Sequence, residues 1–164
     1  MRPIELKIKG INSYREEQVI NFSQLTSQGF FGIFGPTGSG KSTILDAITL
    51  ALYAKLPRGS KNFININESS ASVSFRFSIT TTETKEYLVE RSFRYPGKDR
   101  TSTARNTTAR LSLLSETDID VLADKPTDVT RSCTDLLGLS SDDFLRTVVL
   151  PQGQFSDFLK LKNQ

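Results

Sequence analysis

Apolar and polar residues alternate along several segments of this 164-residue chain, as in β-strands that have one face in a core and the other in water. The first alternation runs from Ile4 to Ile8, and Val19 to Phe22 is predicted to be its hairpin partner. The longest runs from Ser72 to Ile79, continues after a turn through Tyr87 to Phe93, and returns at Leu111 to Leu113. These segments predict an antiparallel β unit over residues 72–114.

Helical spacing of apolar residues is found in three further segments. Apolar residues recur every three or four positions from Lys41 to Ala54, and Pro57 to Gly59 are expected to end this helix. Thr127 is expected to cap a second helix, and Gly138 stands where a left-handed C-terminal residue is wanted. The apolar face of that helix is formed by Val129, Cys133, Leu136 and Leu137. A short third helix is predicted near Asp142 to Arg146.

The motif that carries chemistry lies between a predicted strand and the first predicted helix. Phe30 to Phe34 is a short apolar run, predicted to be a strand buried on both faces. It leads into Gly-Pro-Thr-Gly-Ser-Gly-Lys-Ser, which satisfies the pattern G-x-x-x-x-G-K-[ST] in the required context. Glycines allow successive N–H groups to point at phosphate oxygens, and the helix presents its positive end to the same anion. The predicted ligand is therefore a nucleoside triphosphate.

Within this P-loop, three side chains have separate expected roles. Lys41 is expected to reach the β- and γ-phosphates, Ser42 to ligate Mg²⁺, and Thr43 to lie near the α-phosphate. The alternative is a glycine-rich turn that binds nothing. The candidate phosphate-binding residues are Gly35, Pro36, Thr37, Gly38, Ser39, Gly40, Lys41, Ser42 and Thr43.

Composition narrows the chemistry further. The chain has no His, which excludes Ser-His-Asp triads and His general bases, and one Cys, Cys133, which excludes an internal disulfide. The net charge of +3 is too small to identify a nucleic-acid binder. Met1 to Ile11 lacks the apolar stretch of a signal peptide, and no uncharged apolar run approaches the ~18 residues of a membrane span. The chain is therefore expected to be cytoplasmic, with no membrane partner.

A P-loop does not name a reaction, because kinases, transporters and structural ATPases share it. A second motif, in which four apolar residues precede an acid on a strand, normally holds Mg²⁺ and polarises the water. The nearest match, Ile119 to Asp124, is interrupted by Asp120 and lies in an acidic, loop-like stretch. A compact small-molecule kinase would need a catalytic acid and a lid, and neither is found.

A glutamine near the end of the chain is the second candidate for chemistry. The apolar segment Thr147 to Leu150, predicted as a strand, runs into Pro151, Gln152 and Gly153. A carboxamide at a strand end can ligate a metal or orient water with its oxygen and sense a phosphate with its NH₂. The alternative is a polar turn between a strand and a helix.

Taken together, these motifs resemble the SbcC family, the bacterial SMC-like, ABC-type ATPases of DNA double-strand-break repair. The resemblance is carried by the P-loop with its continuation Ile44 to Ile48, by Leu136 to Leu139 with Asp143-Phe144, and by Val149 to Phe155. It implies an α/β P-loop NTPase fold of the ABC/SMC head type, with an antiparallel β subdomain around the P-loop helix. The long spacing between Lys41 and Gln152 favours this class over a transporter subunit.

In this family the ATPase head is split by a long coiled coil. The resemblance implies that residues 1–155 are the N-terminal half of the head and that 156–164 begin the helix leading to the coiled coil. The Walker B acids and the signature motif would then lie in the C-terminal half. Carried over, Lys41 and Gln152 would be catalytic, Ser42 and Gln152 would ligate Mg²⁺, and Asn12 would approach the ATP.

The resemblance also implies partners. These are the C-terminal half of the same head, a second head in an ATP-dependent homodimer, an SbcD-type nuclease, and DNA. Arg91 to Arg110, with six basic residues against Asp99, is expected to be an exposed loop that contacts the DNA backbone without reading sequence. The acidic stretch Glu116 to Arg146 is expected to be a solvated helical face, and Lys61 to Asn67 to lie near the nucleotide. The alternative function is a DNA- or partner-binding module that keeps the P-loop fold without ATPase activity.

Overall fold

A computed structural model of the chain describes residues 1–25, 32–56, 62–97, 100 and 102–148. The strands in these ranges form one antiparallel sheet of order β2-β1-β3-β4-β5-β6. The elements are β1 (Arg2–Lys9), β2 (Gln18–Asn21), α1 (Phe22–Leu25), α2 (Lys41–Tyr53), β3 (Ser70–Thr80), β4 (Thr84–Arg94), β5 (Arg105–Leu114), β6 (Ile119–Ala123), α3 (Pro126–Leu137) and α4 (Ser141–Thr147). Among the described residues there is no helix whose length and hydrophobicity would allow it to span a bilayer.

The core lies between one face of the sheet and the helices α2 and α3. Cross-strand partners such as Phe75 on β3 and Val89 on β4 are fully buried, while the intervening residues point to the opposite, outer face. Within α2, ten of the thirteen residues are buried. The predicted antiparallel unit and the predicted P-loop helix are therefore confirmed, and the sheet packs directly against that helix.

The apolar run before the P-loop is not a buried strand where the structure describes it. Gly32 to Phe34 lies outside any strand, and Phe34 is 93% exposed. Ile33 is 40% exposed, and Phe30 and Phe31 lie outside the described residues. Hydrophobicity predicted a strand, but a strand also needs a neighbour to pair with, and none of the described strands runs beside this segment. The result is an apolar surface at the entrance to the P-loop.

Several predicted boundaries are wrong for local reasons. The N-cap of α3 is Lys125, because Pro126 occupies the first helical position, so Thr127 is not the cap. Thr147 ends α4 and Val148 stays right-handed helical, so neither begins a strand. The acidic segment Ile119–Ala123 is a strand, because it pairs with β5 at the edge of the sheet.

The C-terminal end of α2 is determined by the backbone conformation of the residue that follows it. The helix ends at Tyr53, before Pro57, because Ala54 adopts a left-handed conformation with φ 54° and its N–H caps Leu50 O. Gly138 is left-handed with φ 65°, as the sequence predicted.

The prediction that Arg91 to Arg110 form an exposed basic loop is wrong for Arg91. It lies on β4, only 1% exposed, and its guanidinium donates to Ala51 O at 2.6 Å and Leu52 O at 3.1 Å at the C-terminal end of α2. It also donates to Pro126 O at 3.2 Å and Thr130 Oγ1 at 3.0 Å at the start of α3. Burial lowers the pKa of Arg91 to about 10, so it stays charged at neutral pH. Arg91 therefore joins two helices to the sheet and is not available to DNA.

Cys133 gives a prediction for alkaline pH. Its thiol is buried in α3, and burial raises its pKa from 9.0 to about 11, against a smaller opposite effect of the Arg91 charge. Because the pKa of the folded state is the higher one, this contribution to stability is complete below pH 9 and is lost as the pH rises through 11. We expect the free energy of unfolding to fall by roughly 2 kcal/mol over that interval, and Cys133→Ala to remove most of the fall.

Urea unfolding at a series of pH values measures this effect. The Tyr53→Phe variant is the comparison, because burial raises the pKa of Tyr53 from 10.0 to about 12, so its contribution is lost between pH 10 and pH 12 and overlaps that of Cys133 only above pH 10. An unchanged slope between pH 9 and pH 10 in Cys133→Ala would show that the thiol does not set the alkaline limit.

Candidate nucleotide-binding site

The P-loop forms an open cradle at the N-terminal end of α2. Gly38 and Gly40 have φ angles of 85° and 89°, a left-handed conformation that side chains disfavour. Gly40 is the N-cap of the 13-residue helix α2, and no side chain caps that end. The N–H groups at the start of the helix, ahead of Thr43, and the positive end of the helix dipole therefore stay available to an anion. This backbone geometry fits a polyphosphate.

The side chains predicted to bind phosphate lie at the same place. Lys41 Nζ donates to Gly35 O and to Pro36 O, each at 2.7 Å, so the ammonium lies against the beginning of the loop. Ser42 is half-buried, while Thr43 is buried and donates its N–H to Gly40 O at 3.0 Å. Ser42 is therefore the more exposed of these two residues, and its role as a Mg²⁺ ligand stays a prediction.

A turn between β1 and β2 holds the P-loop from the side. Asn12 Nδ2 donates to Thr43 Oγ1 at 3.3 Å, and Ser13 Oγ donates to Gly38 O at 3.0 Å. The hydroxyl of Tyr14 donates to Gly40 O at 3.4 Å, and burial raises the pKa of this hydroxyl. The structure therefore brings Asn12 to the P-loop, while its approach to the nucleotide stays a prediction. The sequence analysis did not predict the contacts of Ser13 and Tyr14 with the P-loop. Their position next to Asn12 in the same turn was the one feature that could have indicated them.

The turn is itself anchored by the segment that follows α2. Asn12 has φ 48°, its N–H donates to Phe63 O at 2.7 Å, and Asn65 Nδ2 donates to Asn12 O at 2.6 Å. Arg100 Nη1 donates to Asn65 O at 2.9 Å and stacks over Tyr95, with Cζ 5.6 Å from the ring centre. The segment predicted to lie near the nucleotide therefore supports the P-loop through Asn12, and Lys61 lies outside the described residues.

A cavity of about 410 Å³ opens between this segment and the turn. Asn12, Asn65, Ile66 and Tyr95 contribute to its walls, which combine apolar surface with amide groups. It adjoins the turn that holds the P-loop, because Asn12 and Ser13 are among its lining residues.

The remaining predicted site residues are not placed by the structure. Gln152 and the nearby Gln154 lie outside the described residues. Within the described ranges, no group of three or more Asp, Glu or Cys side chains is arranged to hold a metal ion.

The contact between Gly40 and Tyr14 gives a prediction for nucleotide binding. A Cβ on Gly40 would lie 2.8 Å from the Tyr14 ring, while a Cβ on Gly38 would meet nothing within 4 Å. Both alanine variants carry the backbone strain of positive φ, about 1 kcal/mol, but only Gly40→Ala also displaces the ring. We expect Gly40→Ala to weaken ATP binding roughly tenfold more than Gly38→Ala.

Calorimetric titration with ATP compares the two variants. Adding Tyr14→Ala to Gly40→Ala removes the clash and should recover part of the difference. Equal losses in Gly38→Ala and Gly40→Ala would mean that the ring does not shape the loop.

Comparison with known proteins places these features in a family. The AAA domain family matches residues 5–164. The SbcC component of the nuclease SbcCD from Clostridium acetobutylicum is 52% identical over 164 residues, all of this chain, and that from Bacillus subtilis is 50% identical over 99% of it. A probable DNA double-strand break repair Rad50 ATPase of Aquifex aeolicus is 34% identical over 98% of this chain. The SMC head domain from Thermotoga maritima is 30% identical, with a TM-score of 0.41 over 70% of this chain and 39% of that chain.

The chain spans only a small part of these relatives. It covers 14% of each of the two SbcC proteins and 15% of the Aquifex ATPase. The similarity therefore concerns one region of much longer proteins.

Proposed function

The chain belongs to the AAA domain family, and from this premise we propose that it is the ATP-binding N-terminal half of an SMC-like, ABC-type ATPase head. Completed by its C-terminal half and joined by an SbcD-type nuclease, the head binds and processes DNA ends in double-strand-break repair. This places it in the bacterial cytoplasm, at the nucleoid. The names and the 50–52% identity of the two SbcC proteins support this assignment.

The observation that carries the proposal is the cradle at the start of α2. Gly38 and Gly40 expose backbone N–H groups, and Lys41 places an ammonium against the same loop. Oriented N–H groups and a nearby positive charge stabilise a bound polyphosphate. In the proposed complex Lys41 contacts the β- and γ-phosphates, and Ser42 and Gln152 hold Mg²⁺. The bound Mg²⁺ neutralises charge on the phosphates.

The exposed apolar surface beside the loop supports a partner half. Phe34 is almost fully exposed, and Ile33 is partly exposed. Contiguous exposed apolar surface on a protein can mark an interaction site. We assign this surface to the C-terminal half of the same head, with residues 1–155 forming one half and 156–164 the approach to the coiled coil.

The chemistry is divided between two heads. In the proposal, ATP lies between the P-loop of one head and the signature motif of the other, so ATP binding engages the heads and hydrolysis releases them. This chain provides phosphate binding, and the other half provides water activation and stabilisation of transition-state charge. The isolated 164 residues should therefore hydrolyse essentially no ATP.

A pair of arginines supports DNA as a partner. Arg94 on β4 lies directly opposite Arg105 on β5, and both side chains are exposed on the outer face of the sheet. Like charges in such a pair repel each other, and a phosphate backbone relieves the repulsion.

The double variant Arg94→Gln with Arg105→Gln tests this contact. Its plot of log K for DNA binding against log salt concentration should be less steep, by the contribution of about two phosphate contacts. Arg76→Gln is the matched control, because Glu86 already pairs with Arg76 on that face.

Substitution of Gln152 tests the proposal that the ATPase head is split into two halves. In the full-length protein, we expect Gln152→Ala to lower kcat at least roughly tenfold while changing the Kd for ATP less than about threefold, because the P-loop provides most of the ground-state binding and the glutamine acts at Mg²⁺ and the γ-phosphate, where the reaction takes place. Gln154→Ala is the matched control and should keep activity. ATPase activity in the isolated chain that survives Gln152→Ala would contradict the assignment. DNA binding that ignores ATP altogether would favour the module without ATPase activity.

A further inference from the structure

Arg100 lies in the connection between β4 and β5, and its guanidinium binds a different part of the chain. Nη1 donates to Asn65 O at 2.9 Å, and Nη2 donates to Glu68 O. The side chain is half-buried, with the guanidinium over the ring of Tyr95. These acceptors are neutral carbonyls, so the contact depends on the fork-shaped geometry of the guanidinium as well as on its charge. Arg100, like Arg91, is therefore a member of the predicted basic loop whose donors bind the protein itself.

The carbonyls that Arg100 binds stand at the two ends of one turn. Glu68 N donates to Asn65 O at 2.9 Å, which closes a turn over residues 65–68. Phe63 and Ile64, just before the turn, are buried, whereas the side chains of residues 65–69 are half-buried or exposed. These residues belong to no helix or strand until β3 begins at Ser70. The conformation of the turn 65–68 therefore depends on individual hydrogen bonds, and Arg100 provides two of them.

The turn 65–68 holds Asn12 at the P-loop. Asn65 N donates to Gly10 O at 2.8 Å, and Asn65 Nδ2 donates to Asn12 O at 2.6 Å. Asn12 has φ 48°, a left-handed conformation that residues other than glycine keep when neighbouring contacts hold it. The side chain of Asn12 then donates to Thr43 Oγ1 at 3.3 Å. A single residue, Asn65, thus contacts both Arg100 and Asn12.

We infer that Arg100 is a positioning residue for nucleotide binding. It fixes the turn 65–68, and this turn holds Asn12 against Thr43 of the P-loop. Without Arg100, the turn and Asn12 sample more conformations, and ATP must order them when it binds, which lowers its affinity. The inference rests on the proposed function, because it names a residue that shapes the same ATP site.

Two simpler effects of Arg100 on ATP binding are separable from positioning. Loss of a positive charge weakens the attraction of a polyanion wherever that charge lies. Loss of a half-buried side chain can destabilise the whole domain. The first effect follows charge alone, and the second lowers the stability of the sheet together with that of the turn. Positioning instead requires the geometry of arginine and acts on the turn 65–68 and Asn12 first.

Calorimetric titration of the full-length protein with ATP separates geometry from charge. We expect Arg100→Gln to weaken binding roughly tenfold and Arg100→Lys roughly fivefold, because lysine keeps the charge but not the fork. Arg131→Gln is the matched control, because it removes the same charge from an exposed position on α3 whose ion pair with Asp128 is long, at 3.8 Å. It should change the Kd less than about twofold. Full recovery of binding in Arg100→Lys would reduce the role to charge and overturn the inference.

Hydrogen exchange without nucleotide separates positioning from a loss of stability. The amides of Asn12 and Asn65 donate to Phe63 O and Gly10 O. In Arg100→Gln we expect both amides to exchange at least roughly tenfold faster, while the amides of β3 exchange as in the original protein. Faster exchange throughout β3, together with a lower melting temperature, would show a structural role alone and would also overturn the inference.

A double-mutant cycle tests whether Arg100 acts through Asn65. Asn65→Ala removes the side chain that donates to Asn12 O, so adding Arg100→Gln to it should weaken ATP binding by less than about threefold further. Losses that simply multiply would contradict the inference. ATP binding that Arg100→Gln leaves unchanged would overturn the inference alone. If the original full-length protein bound no ATP, the proposed function would be wrong, and the inference with it.

Discussion

Replacing Lys41 with Ala is expected to weaken ATP binding roughly 100-fold while leaving the fold intact. The ammonium is the one charged side chain of the P-loop, and a hydrogen bond to a charged group contributes about 1.5–3 kcal/mol. Its contacts in the structure are the carbonyls of Gly35 and Pro36, both exposed, so its removal uncovers no core. Calorimetric titration with ATP and thermal melting measure the two quantities.

Lys55→Ala is the matched control for Lys41→Ala. Lys55 lies just beyond the other end of α2, where it pairs with Asp142 at 2.6 Å on the exposed surface. This variant should bind ATP as well as the original chain, since exposed ion pairs contribute little. If Lys41→Ala instead unfolded the chain, the P-loop would be a structural turn. If Lys41→Ala bound ATP as tightly as the original chain, Lys41 would not contact the nucleotide.

Replacing Arg91 with Met is expected to have the largest effect on stability. Methionine fills much of the same volume but leaves the carbonyls of Ala51 and Leu52 buried without a donor. Each unsatisfied buried group costs about 1–3 kcal/mol, so we expect a loss of roughly 3 kcal/mol and a melting temperature roughly 10 °C lower. Urea and thermal unfolding measure these changes.

Arg91→Lys distinguishes lost hydrogen bonds from lost charge. Lysine keeps the charge but cannot bond all four acceptors that the planar guanidinium reaches, so it should recover only part of the stability. Arg94→Met, at an exposed position three residues further along the same strand, should change stability by less than about 0.5 kcal/mol. A small effect of Arg91→Met would mean that water replaces the lost donors.

The fold was predictable wherever a single segment carries its own signal. The strands β3, β4 and β5 each have one dry and one wet face, so their alternation identifies them and the antiparallel unit. The helix α2 and the P-loop were predictable because glycines, a lysine and helical spacing follow one another without interruption.

What could not be predicted depends on contacts between distant segments. Arginine is usually exposed to solvent, so the residue type gave no sign that Arg91 is buried. Only the packing of α2 and α3 over β4 makes its guanidinium a buried hydrogen-bond donor. Ser13 and Tyr14 reach the P-loop across 25 and 26 positions of sequence. The segment before the P-loop has the hydrophobicity of a strand but no neighbour among the described strands.

The hydrogen bonds of Arg91 also have a consequence for motion. The helix α2 carries the phosphate cradle at its first turn and is joined through Arg91 to α3 at its last, so the two helices and β4 are expected to move as one rigid body. A displacement of the first turn along the helix axis is therefore transmitted to the far side of the domain.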